Sequence, residues 1–561
     1  TGSTLMAGRQ VNQLGVVNSS TSVNLNGRID LIASYGAVSN PNFDSTTDLG
    51  SGGPMFLNQF TGVVTLGAGS ATQILPDYTS KNAVPGTGLP ERSQINIEGQ
   101  AIHLDLNSTL FAPNAEVSVR AGSWQYKDLD GNRTIFDADG RVESGLVNYY
   151  SGSRQNFFFD SGQIFLDQSA VINVAGSTEV FVPLSQSILD VELRGSELAD
   201  SPIQRDTKLR GATLTVDIRN TGIHDGKYWI GTPLGDVTGL AGLIERNAAQ
   251  LTAVGGNIHL RSGGSIVVSK GSSLDVSGGY FNHEGGLVKT SFLVSNGRLV
   301  DIKDATPDLV YDGVFSGKST FVSEKWGVVD TFATPLFNGT YQQGFVEGAA
   351  GGTLVMTAPS MAIDGELRGA TVVGPRQRAN PTAPGKLILD FSSERRLDLP
   401  GGSFVNSTAS PTPPDIVFAS KPAKLSVPEF TLVDDVPALL PADRLETVSL
   451  SSDLFAEEGF GSVQISNPDG SITVPDRVTL ATTPRGSISF SAANISVLGK
   501  MKALGGKLSF TTYNLSPSFV AGYNILFPSG TAAFPGPVKN RGVFTLGDGA
   551  RLSTAAVLVN D

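Results

Sequence analysis

The sequence predicts an all-β chain: a parallel β-helix, or solenoid, with extra-helical inserts and at most one or two short helices. Three observations carry this expectation. First, apolar residues recur as short alternating pairs. In GGNIHLRSGGSIVVSKGSSLDVSGG (255–279), the pairs Ile258/Leu260, Ile266/Val268 and Leu274/Val276 begin eight residues apart. Alternation of period two marks a strand with one buried face. Second, the set of pairs returns. In RGSISFSAANISVLGKMKALGGKLSF, Ile488/Phe490, Ile495/Val497 and Met501/Ala503 are followed by Leu508/Phe510, twenty residues after the first pair. Three strands and a return describe one coil, which pairs with the coil above at roughly 4.8 Å per step. A hairpin meander also alternates, but the regular return favours the coil. Third, Gly supplies 66 of 561 residues with no three-residue period, which points to a stacked repeat with glycine at its turns, where left-handed backbone angles are needed.

Taken in order, coils are expected at 1–122, 161–182, 251–279, 349–404 and 483–561. Within the first span, SQINIEGQAIHLDLNSTLFAPNAEVSVRAG places Ile97 twenty residues before Val117, and SGQIFLDQSAVINVAGS (161–177) and GGTLVMTAPSMAIDGELRGATVVG (351–374) repeat the pattern. Four regions interrupt it. Residues 123–160 read as an aromatic-rich hairpin insert. Residues 183–250 form a charged, non-repetitive insert with a helix near GLAGLIERNAAQ, and 280–348 an excursion. Residues 405–482 read as a Pro-rich crossing, because Pro411, Pro413, Pro414, Pro422, Pro428, Pro437 and Pro441 suit surface segments better than central strands. About 18 to 22 coils would span roughly 90 to 105 Å, fewer once inserts are discounted.

Composition removes several classes of function. With 40 Lys+Arg against 52 Asp+Glu the net charge is −12, so no nucleic-acid partner is expected. The absence of cysteine excludes disulfides and thiolate metal sites. There is no run of 18 apolar residues, and the opening TGSTLMAGRQVNQLG lacks the basic-then-apolar layout of a signal peptide. The closing GVFTLGDGARLSTAAVLVND is still alternating, so a section of a longer protein is expected.

Candidate chemistry concentrates in the first insert. In DLDGNRTIFDADGR, the oxygens of Asp128, Asp130, Asn132, Asp137 and Asp139 are spaced like part of a calcium loop. Gly131 is misplaced for that loop and no Glu closes it, so hairpin turns at the two Asp-Gly steps explain the spacing without an ion. Ca2+ is the one ion weighed, and no cofactor is expected. The aromatics Trp124, Tyr126, Tyr149, Tyr150, Phe157, Phe158 and Phe159 form the candidate partner-binding surface, set against burial on the flank of the helix. The run Glu192, Arg194, Glu197, Asp200, Arg205, Asp206 and Arg210 alternates in sign, as a surface ion-pair network does. Catalysis on a β-helix would need clustered carboxylates with a basic partner. Asp434/Asp435 and the NTG at 220–222 are isolated, and His103, His224, His259 and His283 share no ligand spacing. No enzymatic activity is expected.

Two stretches bear a family resemblance. VPLSQSILDVELRGSELADSPIQRDTKLRGATLTVDIRNTG (182–222), continuing through GTPLGDVTG and LIER, and LPADRLETVSLSSDLFAEEGFGSVQISNPDGSITV (440–474) resemble the filamentous-haemagglutinin-like large exoproteins of bacterial two-partner secretion. The likeness is to the subset carrying a conserved block of unknown function. It is specific over 182–279 and 440–510, and compositional elsewhere from about Ile164 onward. The resemblance implies a right-handed parallel β-helix, exported through an outer-membrane two-partner secretion pore and secreted to the cell surface or extracellular space. It implies a cell-adhesion role as an adhesin stalk or filament scaffold, meeting a cell-surface receptor, glycan or matrix, or self-associating into filaments. The alternatives are a self-assembling structural fibre subunit and a polysaccharide-active β-helix enzyme.

Overall fold

The computed structural model describes residues 2–33, 37–39, 56–58, 62–127, 154–159, 161–315, 317–323, 325–333, 339–378, 380–398, 404–409, 414–421, 423–433, 436–455, 459–526 and 536–556. The chain is all-β, and its centre is a set of parallel sheets. Successive strands fall to three sheets in rotation. Ser3–Ala7, Gln10–Gln13 and Val16–Thr21 open the first, second and third sheets; Arg28–Ile32, Val63–Leu66 and Ala71–Pro76 lie beside them in the same order. The rotation repeats with 94–99, 101–104 and 109–111, then 116–121, 163–166 and 171–173, then 257–262, 265–268 and 273–275, then 353–357, 360–363 and 366–368.

The first sheet continues through Lys386–Asp390 into the long strands Ser462–Val474 and Ser487–Val497 and then Lys507–Thr512. Its register aligns one apolar column along ten strands: Met6, Leu31, Ile97, Val119, Leu260, Met356, Leu389, Ile465, Phe490 and Phe510. Two residues earlier on each strand, Ile29, Ile95, Val117, Ile258, Leu354, Leu387, Val463 and Ile488 are fully buried. With the inward residues of the other sheets, such as Val64, Ile102, Ile164 and Ile266, they form one continuous core. Ten strands at about 4.8 Å measure roughly 43 Å from first to last. This is about half the length estimated from residue count, because the inserts absorb much of the chain.

The repeat length varies. Ile488 pairs with Leu508 and Phe490 with Phe510, a twenty-residue step. Ile97, however, pairs with Val119, and Val117 pairs with Ile95, a twenty-two-residue step. The Ile97-to-Val117 match is therefore out of register by one inward position, since period-two alternation makes neighbouring inward residues interchangeable in sequence.

Glycine serves two purposes, of which the sequence suggested one. After four of the six second-sheet strands the same turn position takes a left-handed residue: Gly69, Asn107, Ser169 and Gly271. The glycines immediately before the first-sheet strands that begin at Asn257, Thr353, Lys386, Ser462, Ser487 and Lys507 do not have positive φ. There the backbones of successive turns of the chain touch: a Cβ on Gly352 would lie 1.7 Å from the carbonyl oxygen of Gly256, and one on Gly506 would lie 1.9 Å from that of Gly486.

Residues 183–250 and 280–348, read from sequence as separate interruptions, contribute to one side module. Val191, Leu193, Leu198, Leu209, Leu214, Val216, Leu234 and Val237 pack with Leu293, Ile302, Ala305 and Tyr311 in a second apolar core. Gln204 Nε2 donates to the Leu309 carbonyl, and the Thr215 amide donates to Ser291 Oγ at 2.9 Å.

Two further expectations need correction. Four short α-helices occur among the described residues, Thr238–Gly242, Ala248–Leu251, Ala442–Glu446 and Pro517–Leu526, not one or two. GLAGLIERNAAQ is cut by the strand Glu245–Asn247, which pairs with Ala83–Pro85; the helix restarts where Asn247 and Gln250 cap each other. Nor is 405–482 simply a crossing. Asp415–Ala419, Thr447–Ser451 and Ser462–Val474 lie within the sheets, with Ile416, Phe418 and Ile465 buried. Pro414 and Pro441 flank ordered elements, while Phe430 and Leu440 cover the outer face of the second sheet at Phe165, Val267 and Ala362.

Candidate functional site

A recess, with a cavity of about 480 Å³, lies where the side module meets the central sheets. A small sheet builds one wall: Val180–Val182 runs parallel to Tyr280–His283, which pairs antiparallel with Phe345–Gly348. In that register His283 sits opposite Phe345 and Phe281 opposite Glu347. The His283 ring stacks on Phe345 at 4.4 Å between centroids, and its Nε2 donates to Glu347 at 2.7 Å. His283 Nδ1 is buried with no hydrogen-bond partner among the described residues. Val182, Ile218, Ile244, Val254 and Ala349 add apolar surface.

Three guanidinium groups share this lining, and each is set by a different device. Arg219 follows the strand Thr213–Asp217 and doubles back, so that Nε and Nη2 each donate to the Asp217 carboxylate at 2.8 Å. Both partners are buried, and Arg219 Nη1 has no partner among the described residues. Arg246 is carried by the edge strand 245–247 and donates to the Gly86 carbonyl. Arg376 lies 4.0 Å from the Phe345 centroid. Its turn is anchored by Gln377, whose Oε1 accepts from the Gly348 and Gly374 amides at 2.8 and 2.9 Å. Burial pushes Arg246 below the ordinary guanidinium pKa, with Glu347 opposing. Arg376 is lowered as well, by burial and then by the Arg219 charge, with Asp217 and Glu347 opposing. A shallower recess of about 390 Å³ continues past Arg219, Thr221 and Arg376 to Trp229 and Lys303.

A second group was invisible as a linear motif. The ligand atoms of His103, Asp105 and Asp167 lie within 4.8 Å of one another. Asp105 and Asp167 occupy the same turn on adjacent strands of the second sheet, and each accepts from the next backbone amide at 2.7 Å. His103 is stacked on Phe430 at 4.1 Å and meets Phe165 edge-on; Asp167 stands 3.5 Å from its Nε2, outside hydrogen-bonding geometry. Burial pushes the imidazole pKa down, against the pull of the two carboxylates. Each carboxylate already closes a turn, so the group is accounted for as turn caps beside a neutral, packed histidine. The repeated Asp of LDLN and LDQS was the available sequence signal.

The sequence-derived candidates fall differently. Asp128, Asp130, Asn132, Asp137, Asp139, Tyr149 and Tyr150 lie outside the described residues. Trp124 and Tyr126 sit on the strand Ser123–Lys127, which pairs antiparallel with Arg154–Phe158, so that Trp124 opposes Phe157 and Ser123 opposes Phe158. Phe159 is buried, with the Arg261 guanidinium 3.7 Å from its ring centroid, and so does not offer an open platform. In the charged run, Arg194 pairs with Glu192 and Asp200 with Lys227, both at 2.6 Å on the surface. His259 alternates with buried Ile258 and Leu260 and is half-buried. Among the described residues no helix is long and apolar enough to cross a membrane. In comparisons with protein-family models, curated proteins and solved structures, the chain matches none.

Proposed function

We propose that the three parallel sheets are the faces of a right-handed parallel β-helix, and that the chain is a section of a secreted, cell-surface or extracellular exoprotein working as an adhesin stalk or filament scaffold. The apolar column from Met6 to Phe510 supports this reading most directly. Parallel strands joined in rotation close without a hairpin, and crossovers between parallel strands are overwhelmingly right-handed. A stack of that kind resists bending because every level is hydrogen-bonded to the next, which suits display at a distance from a surface. The side module and the strand pair 123–127/154–158 are then decorations on a rigid support. The sequence likeness to two-partner secretion exoproteins supplies the export route through an outer-membrane pore.

Electron microscopy of the native protein on intact cells tests the proposal. Thin rods projecting from the surface are expected. Thicker filaments with a regular axial repeat would favour the fibre-subunit alternative, and compact particles retained inside the cell would overturn both.

A further inference from the structure

We propose that the cavity at the seam between the side module and the central sheets is a binding site for a small organic monocarboxylate with an apolar, ring-sized body. The inference stands apart from the scaffold role and requires only the seam.

Charge sets the valence of the ligand. Arg219, Arg246 and Arg376 bring three positive charges to the site, while Glu347 and the Asp217 carboxylate clamped to Arg219 bring two negative ones. One net positive charge remains, in a chain whose overall charge is −12. A monoanion is matched, whereas a polyanion would meet Glu347. Guanidinium groups present planar paired donors that fit a carboxylate edge. Arg219 Nη1, buried and without a partner among the described residues, is the kind of unsatisfied donor that an oxyanion completes.

The walls set the body of the ligand. Phe281, Phe345, Val182, Ile218, Ile244 and Val254 line a volume of about 480 Å³. A bare tetrahedral oxyanion would leave that surface wet; a ring on the carboxylate would bury it. Phe345 is held between the His283 ring and the Arg376 guanidinium, so it stands as a fixed apolar wall whose edge a ligand meets. Buried His283 Nδ1, which carries the lone pair when Nε2–H faces Glu347, gives the site one acceptor as well.

Calorimetric titration of the 561-residue chain with benzoate, phenylacetate and cinnamate, beside benzyl alcohol and inorganic phosphate, tests this. At least one carboxylate should bind saturably at one per chain, about tenfold or more tighter than benzyl alcohol and than phosphate. Arg376→Gln and Arg246→Gln should each weaken it by about tenfold, with the thermal midpoint within about 2 °C of the parent, because neither arginine belongs to either apolar core. No saturable binding by any of the three acids, equal binding of benzyl alcohol, tighter binding of phosphate, or unchanged affinity in both variants would overturn the proposal.

Discussion

Arg444 grips Asp364 with a two-pronged hydrogen bond, Nη1 to Oδ1 at 2.9 Å and Nη2 to Oδ2 at 2.6 Å, across 80 residues of chain. Arg444 stands on the short helix Ala442–Glu446, and Asp364 follows the second-sheet strand Ser360–Ile363. Arg444 Nε also donates to the Ser426 carbonyl, whose own amide donates to Asp443 at 2.7 Å. The pair therefore fastens residues 423–433 and 436–446 across the outer face of the second sheet, over Phe165, Val267 and Ala362.

Removing one partner leaves a carboxylate that is only 22% exposed facing an apolar cover. Arg444→Met should cost about 2–4 kcal/mol and expose 423–433 and 436–446 to limited proteolysis, while Arg444→Lys should recover little because an ammonium cannot form the fork. Adding Asp364→Leu to Arg444→Met should restore most of the loss, since no buried charge then remains. Thermal melts and protease mapping of the three variants read this directly; full stability in Arg444→Met would show that the clasp is ornamental.

How far the sequence carried the fold follows from the kind of force involved. Alternation at Ile258/Leu260 and Ile488/Phe490 reports burial of one strand face, and those residues are buried as the pattern requires. Register between distant strands is not local, which is why Ile97 was matched to Val117 when it pairs with Val119. The joining of Leu214 with Leu293 in one core depends on where two separate segments return to the same place, and no short-range pattern encodes that. The cavity was illegible for the same reason: Arg219, Arg246, His283, Glu347 and Arg376 come from five segments. Asp105 and Asp167 were within reach, because they hold one turn position on neighbouring strands.

The glycine corner makes a sharp contrast between two substitutions. A methyl group on Gly352 would meet the Gly256 carbonyl at 1.7 Å, so backbone must move, whereas nothing lies within 4 Å of a Cβ on Gly239. Gly352→Ala should destabilise by about 3 kcal/mol or more. Gly239→Ala, in the helix Thr238–Gly242, should be neutral or stabilise by up to about 1 kcal/mol. Denaturant midpoints for the two variants should move in opposite directions or differ by that gap; equal midpoints would remove the packing argument.

Asp390 and His103 give opposite pH signatures. Burial raises the Asp390 carboxyl pKa above 3.8, opposed by hydrogen bonds from Ser392 and Ser466 and by Arg261. A group raised on folding contributes stability that is complete below its unfolded pKa and lost as pH climbs through the folded value. Asp390→Asn should therefore raise the thermal midpoint at pH 7 and have little effect near pH 3.5.

Burial lowers His103 below 6.5, so folding favours its neutral form. That contribution is present above the unfolded pKa and declines as pH falls through 6.5 toward the folded value, where the unfolded chain binds the proton first. His103→Phe keeps a ring against Phe430 and should remove the acid-dependent loosening of 423–433 between pH 7 and 5. Hydrogen exchange at the two pH values, corrected for intrinsic rates, distinguishes the variant from the parent.

The stacked column makes damage local. Leu260 is 1% exposed between Val119 and Met356 on the neighbouring strands. Leu260→Ala removes buried methyl groups and leaves a gap that the stacked strands fill only in part, at a cost of about 2–5 kcal/mol. Because the Leu260 strand pairs only with 116–121 and 353–357, that loss should fall on those two strands and leave 507–512 as protected as before. Phe490→Ala places the lesion at the other end, beside Ile465 and Phe510, and should reverse the pattern. Exchange protection mapped along the first sheet in both variants would show two separate weakened zones. Uniform loosening in either variant would mean that the sheets melt as one cooperative body and that the nearest-neighbour description fails.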